Sequence, residues 1–263
     1  MAEHVTTAAA AAARWARTFG EHSAAAELVA LARVQPGHAV LDIASASAET
    51  AVTAARIADP EGRVMVVDVI RFADDTFGHR ITQSGVGNVE VAIDDLSSLD
   101  LPPHAFDVAV SSFGLVGVAD PVRLLRRTRE LLVPRGRLAV AVWSAPDRVP
   151  LANLALAAAD VDPPEDVFGL SAREALANPL NDAGFTDVVT TTATVIAEFT
   201  GPEAYAEFAV EAVPPVRDLA AAGKASREAV TAAVADRARS YAEASEDGAL
   251  HLQNEALLAV AVA

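Results

Sequence analysis

The chain has 263 residues, of which 52% are apolar, and it carries 20 basic against 36 acidic side chains for a net charge of −16, with no cysteine. That length suits one large domain, or a domain with an added lid, around a sizeable core; the missing cysteines exclude disulfides, thiolate nucleophiles and Cys-based metal sites. The acidic field repels a phosphate backbone, so no nucleic acid is expected as a partner, and no run of about 18 strongly apolar, uncharged residues suggests a membrane span.

Taken in order, residues 1–33 read as one or two Ala-rich helices that form an N-terminal cap. The apolar run at 8–13 has no basic region before it and Arg14-Trp15-Ala16-Arg17 after it, which suits a helix rather than a signal peptide; a cytoplasmic protein is the simplest expectation. Short apolar runs follow at His38–Ala44, Arg63–Asp68, Asn88–Ile93, Phe106–Ser111, Arg137–Trp143 and Asp187–Phe199. Helix-length segments separate the first five, near 48–58, 72–84, 97–101 (a short one) and 119–132. Strands apolar throughout and alternating with helices imply a parallel sheet covered on both faces, a doubly wound α/β fold whose ligands bind beyond the carboxyl ends of the strands. Pro146, Pro150, Pro163 and Pro164 mark a loop with a helix inside it. Residues 202–245 read as two helices with Gly223 and Lys224 between them, and a last apolar run covers 249–262. The expected domains are therefore a helical cap at 1–33, a cofactor-binding core at 34–145, and lid insertions with the last two strands at 146–263. Arg123, Arg126, Arg127 and Arg129 share a predicted helix with four leucines and read as a solvated face rather than an anion site.

The most informative stretch is "VLDIASASAETA", residues 40–51, where an apolar strand meets an aspartate and five alternating small residues before a helix. A carboxylate at Asp68 ends the second strand, about 20 residues past that loop. With "GRVMVVDV", the "P-x-G" turn at Pro134–Gly136 and "LNDAGFTDVV", the ordered pieces resemble the class I S-adenosylmethionine-dependent methyltransferases, of the small-molecule type common in quinone and natural-product pathways. The resemblance covers nearly the whole chain and implies a mostly parallel, seven-stranded Rossmann-like sheet with N-terminal helices and a helical lid.

The same resemblance implies a site. Asp42 would orient the loop or receive the cofactor's ammonium group, with Ala44, Ser45 and Ala46 forming the loop itself. Asp68 and Val69 would face the ribose, Asp94, Asp95 and Leu96 the adenine, and Ser111, Ser112 and Phe113 would lie beside the sulfonium. Family members carry glycines where this chain has Ala46 and Ala48. If the backbone there needs positive φ, each alanine adds about 1 kcal/mol or more of strain, and together they weaken cofactor binding by tens to hundreds of fold, at about 1.4 kcal/mol per tenfold.

Methyl transfer to a small organic acceptor needs alignment and exclusion of water, and a general base only where the acceptor is poorly acidic. His22 and His79 are the candidate bases, with His104 as a further one. Trp15, Phe19, Trp143, Tyr205 and Phe208 are candidates to line an apolar acceptor pocket. A second reading keeps the fold without methyl transfer: a lidded cavity that folds a reactive chain and promotes cyclisation or rearrangement. A non-catalytic, partner-binding chain is the third, and a homodimer is left open. No histidine pair or His-carboxylate cluster has metal-ligand spacing, and no Gly-x-Ser-x-Gly elbow is present.

Overall fold

The computed structural model describes residues 23–45, 48–68, 76–96, 98–222, 226–242 and 248–263. Seven strands form one sheet: β1 (Ala39–Ile43), β2 (Arg63–Asp68), β3 (Val89–Ile93), β4 (Phe106–Ser112), β5 (Leu132–Trp143), β6 (Thr186–Phe199) and β7 (Leu250–Val262). Their spatial order is β3-β2-β1-β4-β5-β7-β6. β1 to β5 are parallel, and β7 runs antiparallel to both β5 and β6. The order reverses between β1 and β4, so a crevice opens at the carboxyl ends of those two strands. The doubly wound α/β fold expected from the apolar runs is observed, as is the mostly parallel, seven-stranded Rossmann-like sheet that the resemblance implies.

Helices α1 (Ala25–Ala32), α2 (Ala48–Ala58), α3 (Thr76–Ser84) and α4 (Pro121–Leu131) belong to the parallel half. α2 shows why alanine suits this fold. Ala48, Ala51, Ala54, Ala55 and Ala58 are all buried, a helical stripe of methyl groups that lets the helix lie close against β1 and β2. Gly62 is the matching contact at the next strand, since a Cβ there would stand 2.5 Å from the carbonyls of Ala58 and His38. α4 begins on Asp120, whose side chain accepts from the Arg123 N–H with Pro121 following, a cap worth about 1 kcal/mol. Its arginines form the solvated face expected, with Arg123, Arg126 and Arg129 exposed and Arg127 half-buried. Arg127 donates to the carbonyls of Leu99 and Leu101, Arg126 donates to that of Asp182, and Arg129 lies against Gly184.

Two expected elements differ. At 97–101 the described residues hold no helix; Asp94 Oδ1 accepts from Asp95 N–H and Ser98 Oγ and closes a tight turn instead, because an Asx side chain competes with the helical ladder. Above the sheet, 202–242 holds three helices rather than two: α8 (Pro202–Ala212), α9 (Pro214–Ala221) and α10 (Arg227–Ala242). Pro214 lacks an N–H and starts a new helix at its first position.

With α5 (Pro150–Ala158), α6 (Glu165–Phe168) and α7 (Arg173–Asp182), these complete the α-helices among the described residues, and a single 3₁₀ turn spans Pro146–Arg148. α5, α8, α9 and α10 pack on the outer ends of β6 and β7 around Leu151, Leu156, Tyr205, Val210, Val234 and Leu252. β7 pairs with β5 from Trp143↔Ala256 inward, while residues 250–255 continue with β6 alone. This ribbon rises past the sheet on the crevice side and carries the lid. No helix among the described residues is long and apolar enough to cross a membrane.

Candidate active site

The carboxyl ends of β1, β2 and β4 are tied into one rigid platform. Ala44 N–H donates to the Val67 carbonyl at 2.8 Å, and Ser111 Oγ donates to the Ile43 carbonyl at 2.8 Å. Ser45 Oγ accepts from Ser112 N–H at 3.1 Å. Gly114 presses on the same point, where a Cβ would stand 2.5 Å from the Ile43 carbonyl and 2.8 Å from Ala44 Cβ. The position demands glycine for close approach, since its φ is not in the left-handed region.

Beneath this platform lies Asp42, with no exposed surface and with neither carboxylate oxygen in a hydrogen bond. Burial raises its pKa to about 8; the neighbouring Ser45 hydroxyl works against that rise, and the charge of Asp68 adds to it. Asp68 ends β2 and is 1% exposed. A buried carboxyl such as that of Asp42 is costly to keep in the fold, and it stands one strand away from Asp68. Leu96 is buried against Ile43 and Val67, forming an apolar wall beside the two aspartates. Asp94 and Asp95 are exposed at the end of β3, and Asp94 is taken up by its own turn.

At Ala48, one of the two positions where family members carry glycine, no strain is present. Ala48 is the first residue of α2 and has no positive φ, so its methyl group is strain-free; Ala44, instead, stands at φ 53, and Phe113 at φ 60. Two non-glycine residues in the left-handed region therefore face each other across the ends of β1 and β4, a clustering typical of functional sites. Ala46 and Val69 lie outside the described residues.

Of the remaining candidates, Trp143 and Phe113 are brought together: their rings stack with centroids 4.2 Å apart and planes 26° from parallel. Phe208 is partly buried against Phe199. Tyr205 is corrected to a core residue, since it has no exposed surface and its hydroxyl donates to the Leu151 carbonyl at 2.9 Å. His79 is exposed on α3 with its ring 2.8 Å from Gln83 Nε2, which does not suit a base that must meet an acceptor away from water. His104 is at the wrong end of the sheet: it precedes β4, and its Nδ1 lies 2.8 Å from the Leu132 carbonyl. His22, Trp15 and Phe19 lie outside the described residues. Two groups escaped the sequence reading. Gly114 gave no signal beyond its place after β4, and Arg80 of α3 forms an ion pair with Glu49 of α2.

Comparison with known proteins places this architecture. The model of the ubiE/COQ5 methyltransferase family matches residues 18–157. The chain belongs to that family. The ubiquinone/menaquinone biosynthesis C-methyltransferase UbiE of Pasteurella multocida is 32% identical over 122 residues, covering 46% of either chain. The demethylmenaquinone methyltransferase of Listeria monocytogenes is 31% identical over 121 residues, covering 46% of this chain and 51% of its own. The chain spans about half the length of these curated relatives. Among solved structures, the YcgJ protein of Bacillus subtilis shares the fold at a TM-score of 0.59 and 15% identity, over 90% of this chain and 96% of that one. Phosphoethanolamine N-methyltransferase 2 of Haemonchus contortus, solved with S-adenosylhomocysteine, shares it at 0.54 and 17% identity, over 89% and 51%.

Family membership supports S-adenosylmethionine as the cofactor, and the residues present fit it. Asp42 is a buried acid whose oxygens have no hydrogen-bond partner, Asp68 is a second buried acid one strand away, and Ala44, Ser45 and Ala48 beside them are all small.

Proposed function

We propose that this chain is a working S-adenosylmethionine-dependent methyltransferase whose acceptor is a small, largely apolar organic molecule held between the ends of β4 and β5 and the helical lid. The observation that carries the reading is the buried, unpartnered Asp42 carboxyl beside Asp68 at the crevice. A chain that had abandoned its cofactor would gain stability by replacing that acid with an apolar residue.

When bound, the cofactor supplies an activated methyl group on a sulfonium. Asp42 then holds the ligand's ammonium group, and Asp68 orients its hydroxyls. Leu96 shields the adenine side. The rigid ties among Ala44, Ser45, Ser111 and Ser112 keep the platform from shifting as the ligand enters, so that positioning can carry much of the rate. Phe113, stacked on Trp143, forms an apolar floor that excludes water from the reacting groups, and α5, α8 and α10 close above it.

Calorimetric titration of the dialysed protein with S-adenosylmethionine and its demethylated product tests this directly. Micromolar binding that Asp68→Ala abolishes is the expected result. No binding up to millimolar concentration overturns the reading and turns attention to cyclisation of substrates in the same cavity.

A further inference from the structure

Glu49 lies in the first turn of α2, just after the loop that leaves β1. Its carboxylate forms an ion pair with Arg80 of α3, the side chains being 21% and 34% exposed, and its Oε2 is buried without a hydrogen bond. The pair closes one end of a seam between two helical stripes. Glu49, Val52 and Arg56 recur at the spacing of one face of α2, and Phe77, Arg80, Ile81 and Ser84 at that of one face of α3. Val52, Phe77 and Ile81 belong to one apolar cluster, and at the far end Arg56 Nη2 donates to the Ser84 carbonyl at 3.5 Å.

The two helices follow different halves of the cofactor site. α2 begins where the loop of Ala44 and Ser45 ends, and α3 is the helix after β2, whose last residue is Asp68. Glu49–Arg80 is therefore the polar link at the crevice end of the seam. A partly exposed ion pair adds little to stability, so the apolar contacts do most of the holding. The charge matters more. Asp42 and Asp68 are buried acids at the same crevice, and without Arg80 the Glu49 carboxylate adds a third negative charge with one oxygen out of water. That charge either competes for the ammonium group assigned above to Asp42 or swings toward water and shifts the first turn of α2.

We propose that Arg80, acting through Glu49, is a positioning residue of the cofactor site: it keeps the loop that enters α2 in register with Asp68 at the end of β2, so that one ligand meets both. The assignment rests on the methyl-transfer reading above. A ligand that spans two elements binds more tightly when their spacing is fixed beforehand, and the cofactor spans these two.

The test titrates S-adenosylhomocysteine calorimetrically into the full chain and its variants, at a temperature where thermal unfolding shows each of them folded. Arg80→Gln weakens binding by about tenfold, and Arg80→Lys, which keeps the charge, by less than about threefold. In the double variant Arg80→Gln with Glu49→Gln no charge is left unpaired, and affinity returns to within about threefold of the wild type. Arg56→Gln cuts the same seam at its far end and leaves affinity within about twofold, which separates positioning from a general loosening of α2 on α3. Failure of the wild type to bind overturns the methyl-transfer reading and this assignment with it. Where the wild type binds, an unchanged affinity in Arg80→Gln, a double variant as weak as the single one, or an equal loss in Arg56→Gln overturns this assignment alone.

Discussion

The ring of Phe113 lies on that of Trp143, 4.2 Å between centroids, and joins the loop after β4 to the end of β5. Phe113 is held there at φ 60, so the stacked pair stabilises a backbone conformation that a bulky side chain disfavours. Phe113→Ala is expected to cost about 2 kcal/mol, combining a half-buried aromatic with its stacking. A lower urea midpoint at unchanged slope is the result to look for. Phe113→Gly should cost less than Phe113→Ala, because glycine takes positive φ freely; the reverse order would show that the backbone strain is unimportant.

Ala44 makes the complementary case. It occupies the left-handed region at φ 53 with a methyl group, which costs about 1 kcal/mol. Ala44→Gly relieves that strain while loosening the unfolded chain, so the expected net gain is about 0.5 kcal/mol. Because the same methyl lies on the crevice, cofactor affinity should rise as well. Ala48→Gly should lower stability by about 1 kcal/mol, since a helical alanine is lost. Thermal unfolding of both variants separates the two predictions.

Asp42 gives the chain a pH dependence of known sign. Its native pKa is about 8 against an ordinary 3.8, so between those values the folded state holds a proton that the unfolded chain has released. For this group, stability is greatest below pH 4 and falls as pH rises, by at most about 1.4 kcal/mol per unit, levelling off above pH 8. Asp42→Asn should flatten that slope. A cationic ligand favours the carboxylate, so cofactor binding near pH 7 should release a proton. Calorimetry in two buffers of different ionisation enthalpy measures the release directly, and a value of zero would count against Asp42 as the ammonium partner.

Much of this architecture was readable before the structure, for particular reasons. Arg63–Asp68 and 48–58 were placed to the residue because period and end signals agree there: an apolar run closed by an acid, and an alanine stripe opened by a loop. The lid was misdivided at Pro214, where a Pro-Pro pair starts a helix as readily as it ends one. The loop glycines were expected from the family resemblance at Ala46 and Ala48, but whether a position needs positive φ depends on where the helix begins; Ala48 already lies in α2, while Ala44 takes φ 53. Tyr205 was offered to a pocket because an aromatic on a lid helix looks the same from sequence whether it faces a cavity or a core. Ser144 and Glu255 are 111 residues apart in the chain, a contact that only the antiparallel return of β7 creates.

Leu151, at the start of α5, is where the lid is anchored. Asn254 Oδ1 accepts its N–H at 2.8 Å and Tyr205 Oη donates to its carbonyl at 2.9 Å. Asn254 also donates to the carbonyls of Val195 and Leu252 while only 1% exposed, so its amide joins α5 to both strands of the rising ribbon. Tyr205→Phe removes one hydrogen bond and leaves a buried carbonyl, for an expected loss of about 1 kcal/mol. Asn254→Leu strands three buried backbone groups in place of one and should cost about 3 kcal/mol. The loss should be local. Amide exchange in α5 and α8 is expected to quicken in Asn254→Leu while β1, β2 and β4 keep their protection. Uniform quickening across the sheet would mean that lid and cofactor platform unfold as one unit, and that the lid has no opening of its own.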